Sequence, residues 1–449
     1  MISLSLLFLT SCVSSPDLER TEQPWDPGLP DLMNAVSPGD YAWARGIVHL
    51  HSPWSHDACD GAYEEGESIE SCLDDFRDAI CTNRLDYVFV TDHPSYAAYQ
   101  SIEDLLWVEG NDTLISESGR PVANEMACPN GQTPVYMPGF EDELMPLGVT
   151  RHYSDDLDER HELYNRYDGD AVQALNELGA TVLVAHTEHR DLGVLSELAV
   201  SGLAGVEMFN LHAMVDPTKR SEDLGLDPTS WLTDAAPFTS PDGSAEPDLM
   251  FLAFYQEQSV SVELWDDMSA LGATVGVAGT DAHQNVIDLP LRDGERLDSY
   301  RRMIRWFSNW LLVSEDTPKG YREALSSGRA YAVFESLGTP EGMDVSVSSG
   351  GLRVEVGGSA NTGDVMNVVC PTLSLESPQS LEQPLIEAVI YRDSEELARG
   401  CGEHRLSEAG VYRVVFEITP HHLGVFMGDE GDRFIRPFPW IYANPFRVQ

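Results

Sequence analysis

Two patterns of apolar and polar residues divide the chain. Between about residues 43 and 338, apolar runs of strand length alternate with stretches whose apolar residues recur at helical spacing, which is typical of an α/β fold. Strands are predicted at 46–50, 86–90, 134–141, 181–185, 205–209 and 274–281, with a closing strand at 329–334. Helices are predicted near 68–82, 169–178, 192–200, 250–269, 300–311 and 318–327. Two polar segments, 95–132 and 216–250, are interpreted as irregular insertions.

From about residue 343 the pattern changes to short runs in which alternate residues are apolar. Gly, Pro and Ser separate these runs, so residues 339–449 are predicted to form a small antiparallel β-sandwich. The aromatic segment PFPWIYANPF near the C-terminus is interpreted as a strand that packs Trp440 and Tyr442 inward, rather than as an exposed carbohydrate platform.

The N-terminal segment has the pattern of an export signal. Residues 1–12, MISLSLLFLTSC, are apolar but too short to span a bilayer, and Leu9-Thr10-Ser11-Cys12 resembles the bacterial lipobox, whose cysteine is lipidated. Residues 13–42, rich in Pro, Asp and Glu, predict a tether. Because Val13 rather than Asp follows the cysteine, the resemblance to bacterial lipoproteins implies an outer-membrane anchor at Cys12, facing the periplasm or the cell surface. A disordered apolar tail is the alternative.

Composition argues against nucleic acid as a partner. The chain carries 75 acidic and 27 basic residues, a formal charge of −48, and its two lysines, Lys219 and Lys319, belong to no basic cluster. A surface of this kind repels a phosphate backbone, so the acid is interpreted as a solvated surface. An anionic substrate would have to be attracted by local cations.

Several of the predicted strands end in residues of metal-ligand type. In order along the chain these endings are His49-x-His51, Thr91-Asp92-His93, Gly139-Phe140-Glu141, Ala185-His186 and Asp281-Ala282-His283. A lone H-x-H is weak evidence, but repeated endings of this kind bring ligands together wherever the carboxyl ends of strands converge. Ser52 and Ser55 are interpreted as hydrogen-bonding groups behind the ligands.

This order of motifs resembles the polymerase and histidinol phosphatase (PHP) family of metal-dependent phosphoesterases over roughly residues 43–335. The resemblance implies a distorted (β/α)7-type barrel with two or three divalent ions, for which imidazole and carboxylate ligands suit zinc, manganese or iron. It implies that His49, His51, Glu141 and Asp281 hold one ion, that Glu141 bridges to a second on His186 and His212, and that Asp57, His93 and His283 hold a third.

Four of these assignments have alternatives. Family members place one ligand seven or eight residues after the first histidine, so Asp57 competes with His56, and Asp57 is preferred. His212 is a ligand or a neighbour of the site. His189 and Arg190 replace the commoner His-Pro. One interpretation is that both bind substrate, with Arg190 donating two hydrogen bonds to a phosphate group; the other is that Arg190 is a surface residue paired with an acid.

The resemblance implies a phosphoesterase that acts on a small phosphorylated molecule. Clustered divalent ions activate water and stabilise the attacking and leaving oxygens of an in-line displacement. A G-x-S-x-G elbow is absent from the sequence, so Ser-His-Asp chemistry is not indicated. The alternatives are a non-catalytic, metal-containing binding protein at the cell surface and an amidohydrolase-like enzyme that cleaves a C–N bond, because a fold does not fix a function.

Removal of Cys12 leaves six cysteines, an even number that suits an oxidising compartment. Cys370 and Cys401 are alone in the predicted sandwich and should pair. Cys72 and Cys81 lie nine residues apart on one predicted helix, about 13 Å, too far for a disulfide. Cys59 follows the first strand where that helix begins, and Cys128 precedes the third strand where it ends. The predicted pairs are Cys59–Cys72, Cys81–Cys128 and Cys370–Cys401.

Overall fold

The computed structural model describes residues 28–240, 243–373 and 382–449. The predicted signal segment with Cys12, and residues 13–27 of the predicted tether, lie outside these residues. The last part of the tether packs against the protein, since Leu29 and Leu32 are buried and the Pro30 carbonyl accepts a hydrogen bond from Arg45. A membrane-spanning helix is absent from the described ranges.

The first two thirds of the chain alternate strands with helices. The strands are β1 (Ala42–Leu50), β2 (Tyr87–Val90), β3 (Thr113–Glu117), β4 (Arg120–Glu125), β5 (Val135–Pro138), β6 (Leu144–Leu147), β7 (Thr181–Val184), β8 (Gly205–Asn210), β9 (Val275–Ala282), β10 (Ser308–Val313) and β11 (Ala330–Val333). The helices are α1 (Glu70–Thr82), α2 (Pro94–Ala97), α3 (Ile102–Leu105), α4 (Leu157–Tyr164), α5 (Gly169–Glu177), α6 (Leu192–Val200), α7 (Leu211–Val215), α8 (Ser230–Thr239), α9 (Phe251–Phe254), α10 (Ser259–Ala270), α11 (Tyr300–Trp306) and α12 (Pro318–Ser326).

Strand β1 is the centre of one large branched sheet. Its first half pairs antiparallel with β10, its middle pairs parallel with β2, and its end pairs parallel with β9. One arm continues from β2 through β5, β4 and β3, and the other from β9 through β8, β7 and β6. All residues of β1 from Trp43 to Leu50 are buried, as expected for a strand covered on both faces.

The protein is therefore a mixed α/β protein with a large sheet, and strand pairing does not close that sheet into the predicted distorted barrel. In the described residues β5 pairs with β2 and β4 but not with β6, which runs antiparallel to β7. The two arms meet at an isolated bridge between Gly139 and Leu147.

Four local predictions were wrong. The segment 216–250 is not irregular, because it contains helix α8 and the helical turn Lys219–Asp223. The segment 95–132 is not irregular, because β3 and β4 form a hairpin whose turn residues Ser118 and Gly119 both have positive φ, the geometry of a tight two-residue turn. The predicted helix 300–311 ends at Trp306, and the next apolar run forms β10. The predicted helix 250–269 is divided into α9 and α10.

The C-terminal part of the chain forms strands, among them the six that its period-two runs predicted. The strands are β12 (Pro340–Glu341), β13 (Asp344–Ser349), β14 (Leu352–Glu355), β15 (Ser359–Ala360), β16 (Val365–Val369), β17 (Thr372–Leu373), β18 (Leu385–Arg392), β19 (Glu395–Arg399), β20 (Gly402–Arg405), β21 (Gly410–Thr419) and β22 (Phe438–Val448). The six predicted strands are β13, β14, β16, β18, β21 and β22. Trp440 and Tyr442 are buried, which confirms the inward-packing interpretation.

These strands do not stand apart from the rest of the protein. Strand β22 pairs with β11, so β18, β19, β21 and β22 extend the large sheet, whereas β14, β13, β16 and β20 form a sheet of their own. Arg413 of β21 and Asp266 of α10 form a buried bidentate ion pair, with both N–O distances at 2.9 Å. The sandwich and its boundary at residues 338–339 remain predictions.

The three predicted disulfides are confirmed. Cys59–Cys72, Cys81–Cys128 and Cys370–Cys401 are bonded, with Cα–Cα distances of 6.2, 5.6 and 5.7 Å. The first ties the loop after β1 to the first turn of α1.

Candidate metal centre

The ends of the parallel strands bring the predicted ligands to one place. His49 lies at the end of β1 and His51 directly follows it; His93 follows β2, Glu141 follows β5, and His186 follows β7. His212 lies in α7, directly after β8, Asp281 lies near the end of β9 and His283 follows it. This convergence arises because parallel strands share one carboxyl edge.

The backbone is unusual at three of these residues. His49, His186 and Asp281 have φ values of 62°, 52° and 48°, in the left-handed region that non-glycine residues rarely adopt. The register between β1 and β9 shifts between Val48 and Leu50, so His49 does not follow plain strand alternation. Residues in such conformations cluster at functional sites, and each costs of order 1–3 kcal/mol that the surrounding structure must offset.

The Asp281 carboxylate lies among four imidazoles. Its Oδ1 is 3.3 Å from His49 Nε2 and 3.2 Å from His51 Nε2, and its Oδ2 is 3.6 Å from His186 Nε2 and 3.5 Å from His212 Nδ1. The side chain is 5% exposed. One buried carboxylate therefore faces nitrogen atoms delivered by β1, β7 and α7.

Glu141 is a second buried carboxylate in the cluster. Its Oε1 lies 3.2 Å from His186 Nε2 and 4.0 Å from His49 Nε2, and its Oε2 lies 2.8 Å from His93 Nδ1. His49 and His186 thus lie between the two carboxylates. This arrangement suits a ligand that bridges two ions.

Asp57 lies at the outer side of the cluster. Its Oδ2 is 3.2 Å from His93 Nε2 and 3.8 Å from His283 Nε2, so it faces both partners that the resemblance implied. The competing His56 lies close to Asp57 and His93, but its Nδ1 is 3.4 Å from Ser95 Oγ. These contacts favour Asp57 as the ligand.

Several sets of three residues place one ligand atom each within 4.8 Å of one another. Among them are His49–His51–Asp281, His49–Glu141–His186, His51–His93–Glu141, His56–Asp57–His93 and His212–Asp281–His283. Because the sets share members, the cluster could hold more than one divalent ion.

Two serine side chains hold the loop after β1, and of the two predicted to lie behind the ligands only Ser55 contacts predicted ligands. Ser55 Oγ lies 3.2 Å from His51 Nδ1 and donates to Asp57 Oδ1 at 2.9 Å. Ser52 donates to buried Asp92 through its backbone N–H at 2.7 Å and its hydroxyl at 2.6 Å. The aspartate of the T-D-H motif therefore positions this loop rather than facing the cluster.

Glu207 had no role in the sequence prediction, although a carboxylate inside the apolar run 205–209 signals a paired buried charge. Its Oε1 lies 2.6 Å from His49 Nδ1, and its Oε2 accepts from the His186 backbone N–H at 2.8 Å and from Asn210 Nδ2 at 3.2 Å. Only glycine fits beside it, because a Cβ on Gly279 would lie 1.7 Å from Glu207 Oε1. Glu207 orients two of the predicted ligands.

Glu188 and Lys219 form a further group that the sequence did not predict. Glu188 Oε1 lies 3.5 Å from His186 Nδ1 and 3.2 Å from Lys219 Nζ. Burial raises the pKa of Glu188, but the hydrogen bond to His186 and the charge of Lys219 outweigh it and lower the pKa to about 2. The pair lies on the side of His186 that faces away from Glu141 and Asp281.

The carboxylates control the charge of the imidazoles. Burial lowers the pKa of His93, but Asp57 and Glu141 outweigh burial and raise it to about 11. Glu141 likewise contributes to raising the pKa of His186 to about 10 against the effect of burial. For His283 burial dominates, and its pKa falls to about 4.

His49 shows that the residues fit a divalent cation. Its Nδ1 faces Glu207, and its buried Nε2 has no hydrogen-bond partner within the described part of the chain, although Asp281 Oδ1 is 3.3 Å away. A lone pair that faces a carboxylate oxygen needs a proton or a cation between them. Without a cation a proton takes this place: burial lowers the pKa of His49, but Glu207 and Asp281 raise it well above its usual value. The imidazole and carboxylate donors suit zinc, manganese or iron.

Arg190 and His189 lie at the edge of the cluster. Arg190 forms an ion pair with Glu143, donates to the Ala185 carbonyl at 3.2 Å and lies 5.4 Å above the ring of Tyr167. This is the pairing with an acid that the sequence left open as the alternative to phosphate binding. His189 is exposed on the turn after His186.

Comparison with known proteins adds distant structural neighbours. No family model matches the chain, and no curated protein matches its sequence. Among solved structures the chain is similar to a two-domain protein from Bacteroides vulgatus that contains a predicted PHP-like metal-dependent phosphoesterase, at 13% identity and a TM-score of 0.35 over 86% of this chain and 94% of that chain.

Two further neighbours are equally distant. The lesion-specific endonuclease PfuEndoQ from Pyrococcus furiosus has 13% identity and a TM-score of 0.33, covering 63% of this chain and 56% of that one. PsfC from Pseudomonas syringae has 14% identity and a TM-score of 0.34, covering 66% of this chain and 93% of that one.

Proposed function

We propose that the protein is a metal-dependent phosphoesterase of the PHP type, with its α/β part as the catalytic unit, that hydrolyses a small phosphorylated molecule. The observation that carries the proposal is the position of two buried carboxylates, Glu141 and Asp281, each within 4.0 Å of several imidazoles that come from different strand ends. So many buried histidines and acids in contact are costly unless cations hold them.

The proposed ligands are those that the motifs imply and that lie together in the cluster. They are His49, His51, Asp57, His93, Glu141, His186, His212, Asp281 and His283, holding two or three zinc, manganese or iron ions. Bound ions of this kind supply an activated water and neutralise charge on the phosphoryl oxygens. Glu207 keeps the Nε2 of His49 directed at Asp281, and Ser55 steadies His51 and Asp57.

Arg190 and His189 remain predicted substrate-binding residues. To bind phosphate, Arg190 would exchange its ion pair with Glu143 for a substrate oxygen. Charge supports a small substrate over nucleic acid, because the chain has a formal charge of −48.

The proposal is tested with the double variant His49→Ala/His51→Ala. We expect it to lose both bound metal and hydrolysis of an aryl phosphate, whereas His404→Ala/His421→Ala, which alters two histidines outside the cluster, should keep both. Full hydrolysis by the metal-free double variant would refute the proposal. A parallel substrate panel separates the alternatives: turnover of amides alone would indicate a C–N hydrolase, and metal without any turnover a binding protein.

We also propose that the protein is exported and anchored to the outer membrane through Cys12. Three disulfides support an oxidising compartment. Cell fractionation tests the anchor, since Cys12→Ser should release the protein from the membrane fraction, and its retention there would contradict the lipobox interpretation.

A further inference from the structure

Lys219 brings a cation to the edge of the metal-ligand cluster. Its Nζ lies 3.2 Å from His186 Nδ1 and 3.2 Å from Glu188 Oε1. It is one of two lysines in the chain. The other, Lys319, is 63% exposed on α12 and forms an ion pair with Glu323 one turn away.

The backbone that presents Lys219 is well anchored. Lys219 begins a single π-helical turn, Lys219–Asp223, that follows α7, the helix that carries His212. Its N–H donates to Asp216 Oδ1 at 2.8 Å. The next residue, Arg220, is buried and donates to the carbonyl oxygens of Met214 at 2.7 Å and Asp227 at 3.0 Å. Single π-helical turns are frequent at functional sites.

The Lys219 side chain is partly exposed to solvent, whereas the side chain of its partner Glu188 is buried. Lys219 is 29% exposed, whereas Glu188 is 1% exposed. The ammonium has three donors; Glu188 accepts one, and His186 Nδ1 lies within hydrogen-bond distance of the ammonium as well. Lys219 therefore keeps at least one donor for a molecule that approaches from outside, whereas Arg190 directs its guanidinium at Glu143 and the Ala185 carbonyl.

The negative charge of the protein makes a local cation such as Lys219 important for binding an anion. The protein repels anions through its formal charge of −48, so a phosphorylated substrate needs local positive charge at the place where it binds. We propose that the Lys219 ammonium binds an oxygen of the substrate's phosphoryl group at the rim of the cluster, which makes Lys219 a substrate-binding residue. The inference rests on the proposed phosphoesterase function.

Binding of inorganic phosphate to the full-length, metal-loaded protein tests the inference by calorimetry. We expect Lys219→Met to raise the Kd for phosphate at least about tenfold, because a charge-assisted hydrogen bond is lost. The metal content of the variant should be unchanged. Lys319→Met is the matched control and should bind as the wild type does. Lys219→Arg, which keeps the charge, should recover part of the affinity.

A second readout uses the scarcity of lysine. Acetylation followed by mass spectrometry should show that phosphate protects Lys219 and leaves Lys319 unchanged. Equal phosphate affinity in Lys219→Met would overturn the inference. Loss of metal from Lys219→Met, matching a loss of metal from Glu188→Gln, would also overturn it, because the lysine would then act only on His186. If the wild type hydrolyses aryl phosphates and Lys219→Met still binds phosphate normally, the inference alone fails. If the wild type neither binds phosphate nor hydrolyses its esters, the proposed function fails and the inference with it.

Discussion

The substitution Glu207→Gln tests how the cluster is held together. Glu207 is buried and uses both oxygens, with Oε1 facing His49 Nδ1 and Oε2 accepting from the His186 backbone N–H and from Asn210. Glutamine has nearly the same shape but replaces one oxygen by an NH2 group, which cannot accept. The variant therefore changes the hydrogen bonds and leaves the packing intact.

Both orientations of the new amide are unfavourable. If its NH2 group faces His49, the proton must move to Nε2, the atom that faces Asp281, and that nitrogen can no longer bind a metal. If the NH2 group instead faces the His186 backbone N–H, two buried donors face each other without an acceptor, which costs about 1–3 kcal/mol of folding free energy. Loss of a carboxylate behind a ligating histidine typically weakens metal binding about 10–100-fold, or about 1.4–2.7 kcal/mol.

Competition with a chromogenic chelator measures the metal affinity, and urea unfolding in excess chelator measures the stability of the metal-free fold. Glu64→Gln, at an exposed position, is the control and should leave both unchanged. If Glu207→Gln bound metal as tightly as the wild type while remaining folded, the orienting role of Glu207 would be wrong.

Metal binding at pH 7 should release protons, because His93 and His186, with pKa values raised to about 11 and about 10, must lose their protons to bind a metal. His49, whose pKa is raised well above its usual value, must lose a proton as well. Calorimetry in buffers of different ionisation enthalpy should show about three protons released and an affinity that rises with pH, and heats independent of the buffer would contradict this. The same raised pKa values stabilise the metal-free fold fully below about pH 6.5, and this stabilisation is lost as the pH rises towards 10 and 11, a trend that urea unfolding can follow. Arg413→Met leaves Asp266 buried without its partner and should cost about 3–5 kcal/mol in urea unfolding, whereas a cost below about 1 kcal/mol would show that water reaches Asp266.

Most of the strands, and the histidines and acids that come together in the cluster, could be predicted from the sequence for one physical reason. A buried parallel strand is a short apolar run, and a histidine or acid directly after it marks the strand's carboxyl end. The disulfides could be predicted because helix length excluded one pairing and strand direction favoured another.

The wrong predictions arise where the local sequence is compatible with more than one structure. The run after Trp306 has the length and hydrophobicity of either a helix end or a buried strand, and the open edge of β1 decides in favour of β10. The hairpin of β3 and β4 depends on two turn residues with positive φ inside a segment that looks polar and irregular.

Contacts across the cluster were beyond the sequence. Glu207 and Lys219 contact atoms of His49 and His186, residues 158 and 33 positions away along the chain, and no local pattern encodes such contacts. The left-handed backbone at His49 was hidden as well, since H-x-H on a plain strand predicts simple alternation.

The central claim is tested most directly by measuring metal content and aryl phosphate hydrolysis in one preparation while a chelator removes the metal and the metal is then restored. The account predicts about two or three ions per chain, a loss of hydrolysis in step with the ions, and its return when zinc, manganese or iron is added back. A protein that hydrolyses the ester equally well after its metal is gone, or one that carries its full metal content and hydrolyses no phosphoester, would contradict it.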